Sequence, residues 1–377
     1  MNFEFTQEQR QLQDSLERVL AEHYSFEQRR AMTGTAVGHS PTAWRQLAEL
    51  GLTGLTVSED HGGFGGSAVD LLPAMQCFGR ALLLEPFLSS SVLGTTALRL
   101  AGDDATRHRL LPGVASGDVI LGWAHDEAAA RHALNWTETR ATRHGSEWVL
   151  DGSKINVLHA ADAHQLVVTA RLDGPADAEA GLALFLINAD TAGLQIRAHR
   201  LIDDTPAGEL TLHGAVATPL GDPTDGVRAT SVIDRVRTAG MAAVCADMVG
   251  AMDGAYRLTI DYLNTRRQFG RLIGENQSLR HRAAEMLVSL ESCRSMAIAA
   301  AIAVDRPEAS SSAADLLRAK LLIGRHGRQL CQHAVQMHGG IGMTEEYAVG
   351  HYLRRVHVMD HLFGDADVQA TRLAELL

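Results

Sequence analysis

The sequence predicts a mainly α-helical protein with a central β-domain, and three observations carry that expectation. Up to about residue 116, apolar residues recur at three- and four-residue steps. Over 117–226 they alternate instead, and over 227–377 the helical step returns and persists. Three domains are therefore expected: 1–116 helical, 117–226 β, and 227–377 a helical bundle.

The first zone opens on Thr6 and Gln9, spaced as a capping box, with Leu12, Leu16, Val19 and Leu20 on one stripe. Ser40 and Pro41 fit the N-cap and first turn of another helix, with Trp44, Leu47 and Leu50 inward and Gly51 as its stop. LLPAMQCFGRALLLEPFL and SSSVLGTTALRLAG continue the helical pattern. In the second zone EWVLDGSKINVLH alternates around an expected Asp151-Gly152 turn, and QLVVTARL, GLALFLIN and GELTLHG follow as short strands. Strands that succeed one another without helices between them exclude a Rossmann unit. After GDPTDG, Ile233, Val236, Gly240, Val244, Met248, Met252, Ala255, Thr259 and Leu263 fall on one face, which predicts a helix of roughly nine turns. Further helices fit about residues 277–304, 311–333 and the last thirty, giving a four-helix bundle whose apolar faces suit subunit association.

The 377 residues are 46% hydrophobic and 21% charged, with a net charge of −11. That balance argues against nucleic-acid and anionic-membrane partners, which need a basic face. No apolar run reaches the roughly eighteen residues of a spanning helix. MNFEFTQEQRQLQ has neither the basic nor the apolar part of a secretory signal, so a cytoplasmic location is expected. Cys77, Cys245, Cys293 and Cys331 lack metal-like spacing and read as small buried hydrophobes. Among the 18 histidines there is no HExxH, so no metal site is expected.

Two glycine-rich loops nearly repeat each other, HGGFGG from His61 and HGGIGM from His338. A dinucleotide fingerprint sits between a strand and a helix, and neither loop has that context. HGGFGG reads as tight turns needing positive φ. HGGIG follows a helix face bearing Gln332 and Gln336, and its glycines can serve as a turn or offer amide donors to an anion. NTRRQFGRLIGENQ ends the long helix with a guanidinium, an aromatic ring and a turn-forming glycine at Arg266, Phe269 and Gly270. These suit a nucleotide, or merely place cations at a helix C-terminus.

RRQFGRLIGENQ, followed some sixty residues later by QMHGGIGMTEEY, within a helix–β–helix order, resembles the acyl-CoA dehydrogenase family. The resemblance implies α,β-dehydrogenation of an acyl-CoA thioester to the 2,3-enoyl-CoA, with FAD as cofactor and an electron-transfer flavoprotein as acceptor. It implies that Arg266, Phe269, Gly270, Gln277, Gln336, Gly339, Gly340 and Gly342 hold the adenylate and pyrophosphate arm of FAD bound mainly to a neighbouring subunit, and that HGGFGG is a structural turn. It also implies a carboxylate base, which in many members lies where this chain has LFGD, with Phe363 at the glutamate's place. Asp365 is two residues further on and should point elsewhere. Other members place the base near the start of the long helix, at the position matched by Asp234 of the Asp234-Arg235 pair. Asp234 is then the candidate base, or only an acidic residue in the helix's first turn. Aspartate is about 1.5 Å shorter than glutamate, and a 1 Å misplacement costs on the order of a hundredfold in rate.

The β zone departs from the family: HDEAAARHA puts Asp126 at a threonine's place, and Asn156, Val157 and Leu158 replace a Trp-Ile-Thr segment. A carboxylate beside a ring that gains negative charge on reduction is unfavourable. The chain thus keeps what it would lend to a neighbour's FAD and has altered what its own flavin would need. The expectation is the small subunit of a heteromer with a related large subunit; a homotetramer using Asp234 and a non-catalytic assembly paralogue are the alternatives.

Overall fold

The computed structural model describes residues 6–35 and 37–376; the first five residues of the acidic N-terminal stretch, Ala36 and Leu377 lie outside them. In chain order the elements are α1 (Gln7–His23), α2 (Phe26–Thr33), α3 (Pro41–Glu49), α4 (Ala68–Ala81), α5 (Thr95–Ala101) and α6 (Asp104–Ala115). Strands β1 (Leu121–Ala124), β2 (Arg140–His144), β3 (Glu147–Leu158), β4 (Gln165–Arg171), β5 (Leu182–Asn188), β6 (Leu194–Arg200) and β7 (Pro206–Pro219) follow. The chain then forms α7 (Gly226–Thr265), the two-residue strands β8 (Arg267–Gln268) and β9 (Arg271–Leu272), and α8 (Gln277–Asp305), α9 (Ser312–His338), α10 (Val349–His361) and α11 (Ala366–Leu376). The contacts divide into two compact units: Met1–Ala31 with Ala68–Leu83 and Met241–Leu377, and Met32–Ser67 with Leu84–Gly240.

In the first unit the Thr6 capping box caps α1 and buries Leu16 and Leu20. α4 crosses α7 backbone against backbone. A Cβ on Gly79 would lie 1.8 Å from the Asp247 carbonyl, and one on Gly250 2.0 Å from the Gln76 carbonyl, so only glycine permits the approach. Nearby, the buried Arg355 grips Asp247 through two bonds of 2.9 and 2.7 Å. α7 is longer than the sequence suggested, 40 residues or about eleven turns, because the Asp225 side chain accepts the Arg228 amide and starts it early. All nine residues of its expected inner face are buried.

α8 corrects the expectation that nothing here is long and apolar enough to cross a membrane. An 18-residue window reaches a mean hydropathy of 1.6, because alanines dilute its two charges rather than leaving an unbroken apolar run. Only a third of that window is buried, on the face turned to α9 and α4. All four cysteines are free and buried, and burial pushes each thiol up to about 12.

In the second unit the path β4–β2–β3–β7–β5 returns to β4 and closes a small barrel, with β1 on β4 and β6 on β7. Leu150, Val157, Leu166, Val168, Phe185 and Leu210 fill its interior. The expected Asp151-Gly152 turn is not one. β3 runs straight through it as a bulge opposite β7, Asp151 accepts the Gly214 amide at 2.8 Å, and the hairpin turns instead at Gly145, with φ 64°. The chain just before β2 lies so close that a Cβ on Gly152 would meet the Thr139 Cα at 2.6 Å. Ser40 caps α3 as expected, and Gly51 ends it at φ 77°.

Candidate functional site

The two glycine loops fold differently. In HGGFGG the amides turn inward: Gly63 bonds Ser58, Phe64 bonds Gly54, Gly65 bonds Val57 and Gly66 bonds Leu55. A Cβ on Gly63 would sit 2.2 Å from the Val57 carbonyl. Its donors are spent on its own chain, and it is a structural turn.

HGGIG lies at the C-terminus of α9. Gly339 adopts φ 64°, ψ −140°, a conformation open to glycine alone, and Gly339 and Gly340 are both exposed, with nothing within 4 Å of where a Cβ on either would stand. Gly342 is different. It is buried, and its Cβ would stand 2.8 Å from the Val335 carbonyl, so it closes the turn onto α9 rather than opening toward a ligand. Gln336 is exposed one turn before the bend.

Arg266 follows the last turn of α7, its amide bonded to the Tyr262 carbonyl at 2.9 Å and its carbonyl taking the Ile273 amide at 3.0 Å. Between those bonds β8 and β9 form a hairpin whose two tip residues, Phe269 and Gly270, both have positive φ, 52° and 79°. Phe269 is wholly exposed, at 102%. Arg266 and Gln277, the first residue of α8, are exposed beside it. A cleft of ≈ 510 Å³ lined by Tyr256, Ile260, Leu263, Leu272, Ala283 and Leu287 lies between the end of α7 and the start of α8.

Three aromatic rings, not foreseen from sequence, bring the α7 end and the HGGIG bend together. Tyr262 stacks on His338 with centroids 4.5 Å apart, and Tyr347 closes on His338 at 5.1 Å and on Tyr262 at 6.4 Å. His338 is buried and its Nδ1–H donates to the Ala334 carbonyl at 2.8 Å. Burial pushes its imidazole below the ordinary value against the pull of that carbonyl, so the stack is held by a neutral ring. Arg266, Phe269, Gly270, Gln277, Gln336, Gly339 and Gly340 are thus all exposed in this unit, and the Tyr262–His338 stack joins the end of α7 to the start of the glycine bend.

Sequence profiles for the acyl-CoA dehydrogenase N-terminal, middle and C-terminal domains match residues 6–118, 123–215 and 232–377. The chain belongs to the acyl-CoA dehydrogenase family. A probable acyl-CoA dehydrogenase of Bacillus subtilis, YngJ, is 27% identical over the full length of both chains. The solved glutaryl-coenzyme A dehydrogenase–glutaryl-CoA complex matches with a TM-score of 0.88 and 25% identity, covering 99% of this chain and 96% of that one. A variant of the Tcur3481–Tcur3483 steroid ACAD matches with a TM-score of 0.85 and 28% identity over 98% and 97% of the two chains. The exposed guanidinium with an open glycine backbone fits the phosphate arm of FAD, the cofactor that membership of the family implies.

The second unit fits a flavin less well. The Ile155 amide bonds the Asp126 carbonyl at 2.9 Å, so HDEAAARHA and INVLHAA lie side by side. The Asp126 carboxylate is exposed there, and Asn156, at φ 53°, is exposed at a bulge where β3 slips against β7. Val157 and Leu158 turn back into the barrel wall and are buried. Underneath, Lys154 pairs with Glu127 at 2.7 Å and also donates to Thr169. Burial raises the Glu127 carboxyl, but Lys154, Thr139 and the Glu138 amide outweigh it and hold the group below the usual carboxylate range.

Asp234 lies in the third turn of α7, since the helix begins at Gly226. This corrects the first-turn alternative, because helix-dipole attraction fades within the first turn. Its partner is Arg237 at 2.6 Å rather than the adjacent Arg235, and the Asp234 side chain is 43% exposed. In the first unit Phe363 holds φ 64°, and Asp365 is the N-cap of α11, its Oδ1 taking the amides of Asp367 and Val368 at 3.1 and 3.0 Å. That use removes Asp365 as a base.

Proposed function

We propose that this chain is the small subunit of a heteromeric acyl-CoA dehydrogenase that lends Arg266, Phe269, Gly270, Gln277, Gln336, Gly339 and Gly340 to FAD held by a related large subunit. The observation that carries the reading is the exposed pairing of the Arg266 hairpin with the Gly339–Gly340 bend through Tyr262 and His338. A bulky residue at positive φ standing entirely in water is strained and uncovered at once, as expected of a clamp whose ligand arrives from outside the subunit. The exposed Asp126 where a flavin edge would lie favours a flavin on the partner. The name of the similar Tcur3481–Tcur3483 protein joins two components, which agrees with a two-chain assembly.

The reaction class is dehydrogenation of an acyl-CoA to its 2,3-enoyl-CoA, with electrons passed to an electron-transfer flavoprotein. Bound FAD would supply the acceptor for the β-hydrogen, which leaves as hydride. The protein must remove the α-proton, and this chain offers only Asp234 at a position where the family places a base. YSFEQR, EDHGGFGG, GRALLLEP, VLHAADAHQLVVTAR and AAVCADMVGAMD resemble the small subunit of pimeloyl-CoA dehydrogenase, which suggests a dicarboxylic acyl group.

A second reading, a homomer using Asp234, is favoured by one observation: Arg237 orients the partly exposed Asp234 carboxylate. Purifying the chain alone and with a related subunit, then recording flavin absorbance and its bleaching by acyl-CoA thioesters, separates the two. Flavin and bleaching only in the pair support the heteromer, and both from this chain alone overturn it. Colourless protein in both preparations supports a role in assembly alone. In whichever form is active, Asp234→Asn should lower turnover by about 10²–10⁴-fold if Asp234 is the base; unchanged turnover removes it.

A further inference from the structure

His39 lies on the loop before α3, and His159 and Asp162 lie in the turn after β3, 120 residues later; all three belong to the second unit. His39 and His159 are almost wholly buried, at 6% and 3%, and the Asp162 side chain is 15% exposed. Their facing atoms converge. His159 Nδ1 is 3.0 Å from Asp162 Oδ2, His39 Nδ1 is 3.6 Å from the same oxygen, and the three ligand atoms all lie within 4.8 Å of one another.

The 3.6 Å gap is the informative one. It is too long for a hydrogen bond, and among the described residues the buried His39 Nδ1 has no hydrogen-bond partner. A buried polar nitrogen aimed at a carboxylate and left unpaired costs about 1–3 kcal/mol unless something fills the space between. The backbone on both sides is fixed. The His159 amide bonds the Pro206 carbonyl, the amides of Asp162 and Ala163 return to the His159 carbonyl, and the Ser40 amide next to His39 is held by Glu85. His159 stands at φ 53°, an uncommon conformation for a residue with a side chain, and it is what turns the ring toward Asp162.

We propose that His39, His159 and Asp162 bind a divalent transition-metal ion of the zinc class, with water completing the coordination. Two imidazoles and a carboxylate suit zinc or cobalt rather than calcium or magnesium, which prefer oxygen ligands. Tetrahedral zinc with bonds of about 2.0–2.1 Å separates its ligands by roughly 3.3 Å; the two separations from Asp162, 3.0 and 3.6 Å, lie near that value, and the two histidines, within 4.8 Å of each other, would draw together on binding. The ion would tie the loop entering α3 to the end of β3.

The test is an anomalous difference map from crystals of the full chain soaked in Co²⁺, together with Co²⁺ titration in solution. The expected result is a peak between His39, His159 and Asp162, the ligand-field absorption of low-coordinate cobalt, and displacement by Zn²⁺. Asp162→Asn and His39→Gln should each weaken Co²⁺ binding by about 100-fold or more, whereas His144→Ala, an exposed histidine elsewhere, should not change it. A map without that peak, or folded variants that bind as tightly as the parent, overturns the proposal. If a variant fails to fold, the map on the parent chain decides.

Discussion

Phe269 combines two unfavourable features, a positive φ and a ring wholly in water, and neither is explained by the subunit that carries it. Arg266 and the Gly339–Gly340 bend were legible in the sequence because each is a local pattern. The stack that sets them side by side was not, because Tyr262 and His338 are 76 residues apart and no short spacing records their contact. Arg266→Ala should weaken FAD retention by about 10–100-fold, since a hydrogen bond to a charged group is worth about 1.5–3 kcal/mol. Flavin released on dilution of the active assembly measures this, and retention equal to the parent would remove Arg266 from the site. Asp234 illustrates the reverse failure. Its Asp-Arg neighbourhood suggested a helix start, but Asp225 is the residue that caps α7, and the cap signal lay in the GDPTDG linker.

At the scale of elements, two glycines decide how closely α4 and α7 approach. Gly79 and Gly250 look from sequence like weak points in helices, because the carbonyls that exclude a side chain come from the other helix. Gly250→Ala should destabilise the fold by about 1–3 kcal/mol or more through overpacking. The midpoint of chemical denaturation reads this directly, and an unchanged midpoint would contradict the crossing. The Asp151-Gly152 dipeptide follows the same logic in the barrel. An Asp-Gly pair between alternating residues is a strong hairpin signal, yet the approach of Thr139 and the bond from Gly214 use it as a bulge. Strand existence was readable from alternation; which pair turns and which bends depended on the neighbouring strands.

For the molecule as a whole, the helix–β–helix order was readable because each zone keeps one hydrophobic period over a hundred residues or more. Its titration behaviour was not, since 18 histidines say nothing of which are buried. Burial lowers His125 to about 4, and burial followed by Arg354 lowers His351 from the same ordinary value of 6.5. Between the folded and unfolded values the unfolded chain binds more protons, so stability rises with pH in that window and is lost as pH falls from about 6.5 toward 4. The melting temperature should therefore drop through that interval, and a flat profile would contradict it. Most depends on where the flavin's phosphates go, and a cryo-EM map of the flavin-loaded assembly settles that. Arg266 and the Gly339–Gly340 backbone should lie within hydrogen-bond distance of FAD bound to the neighbouring subunit. Density placing both in open solvent, or an FAD held entirely within this chain, would contradict the shared site.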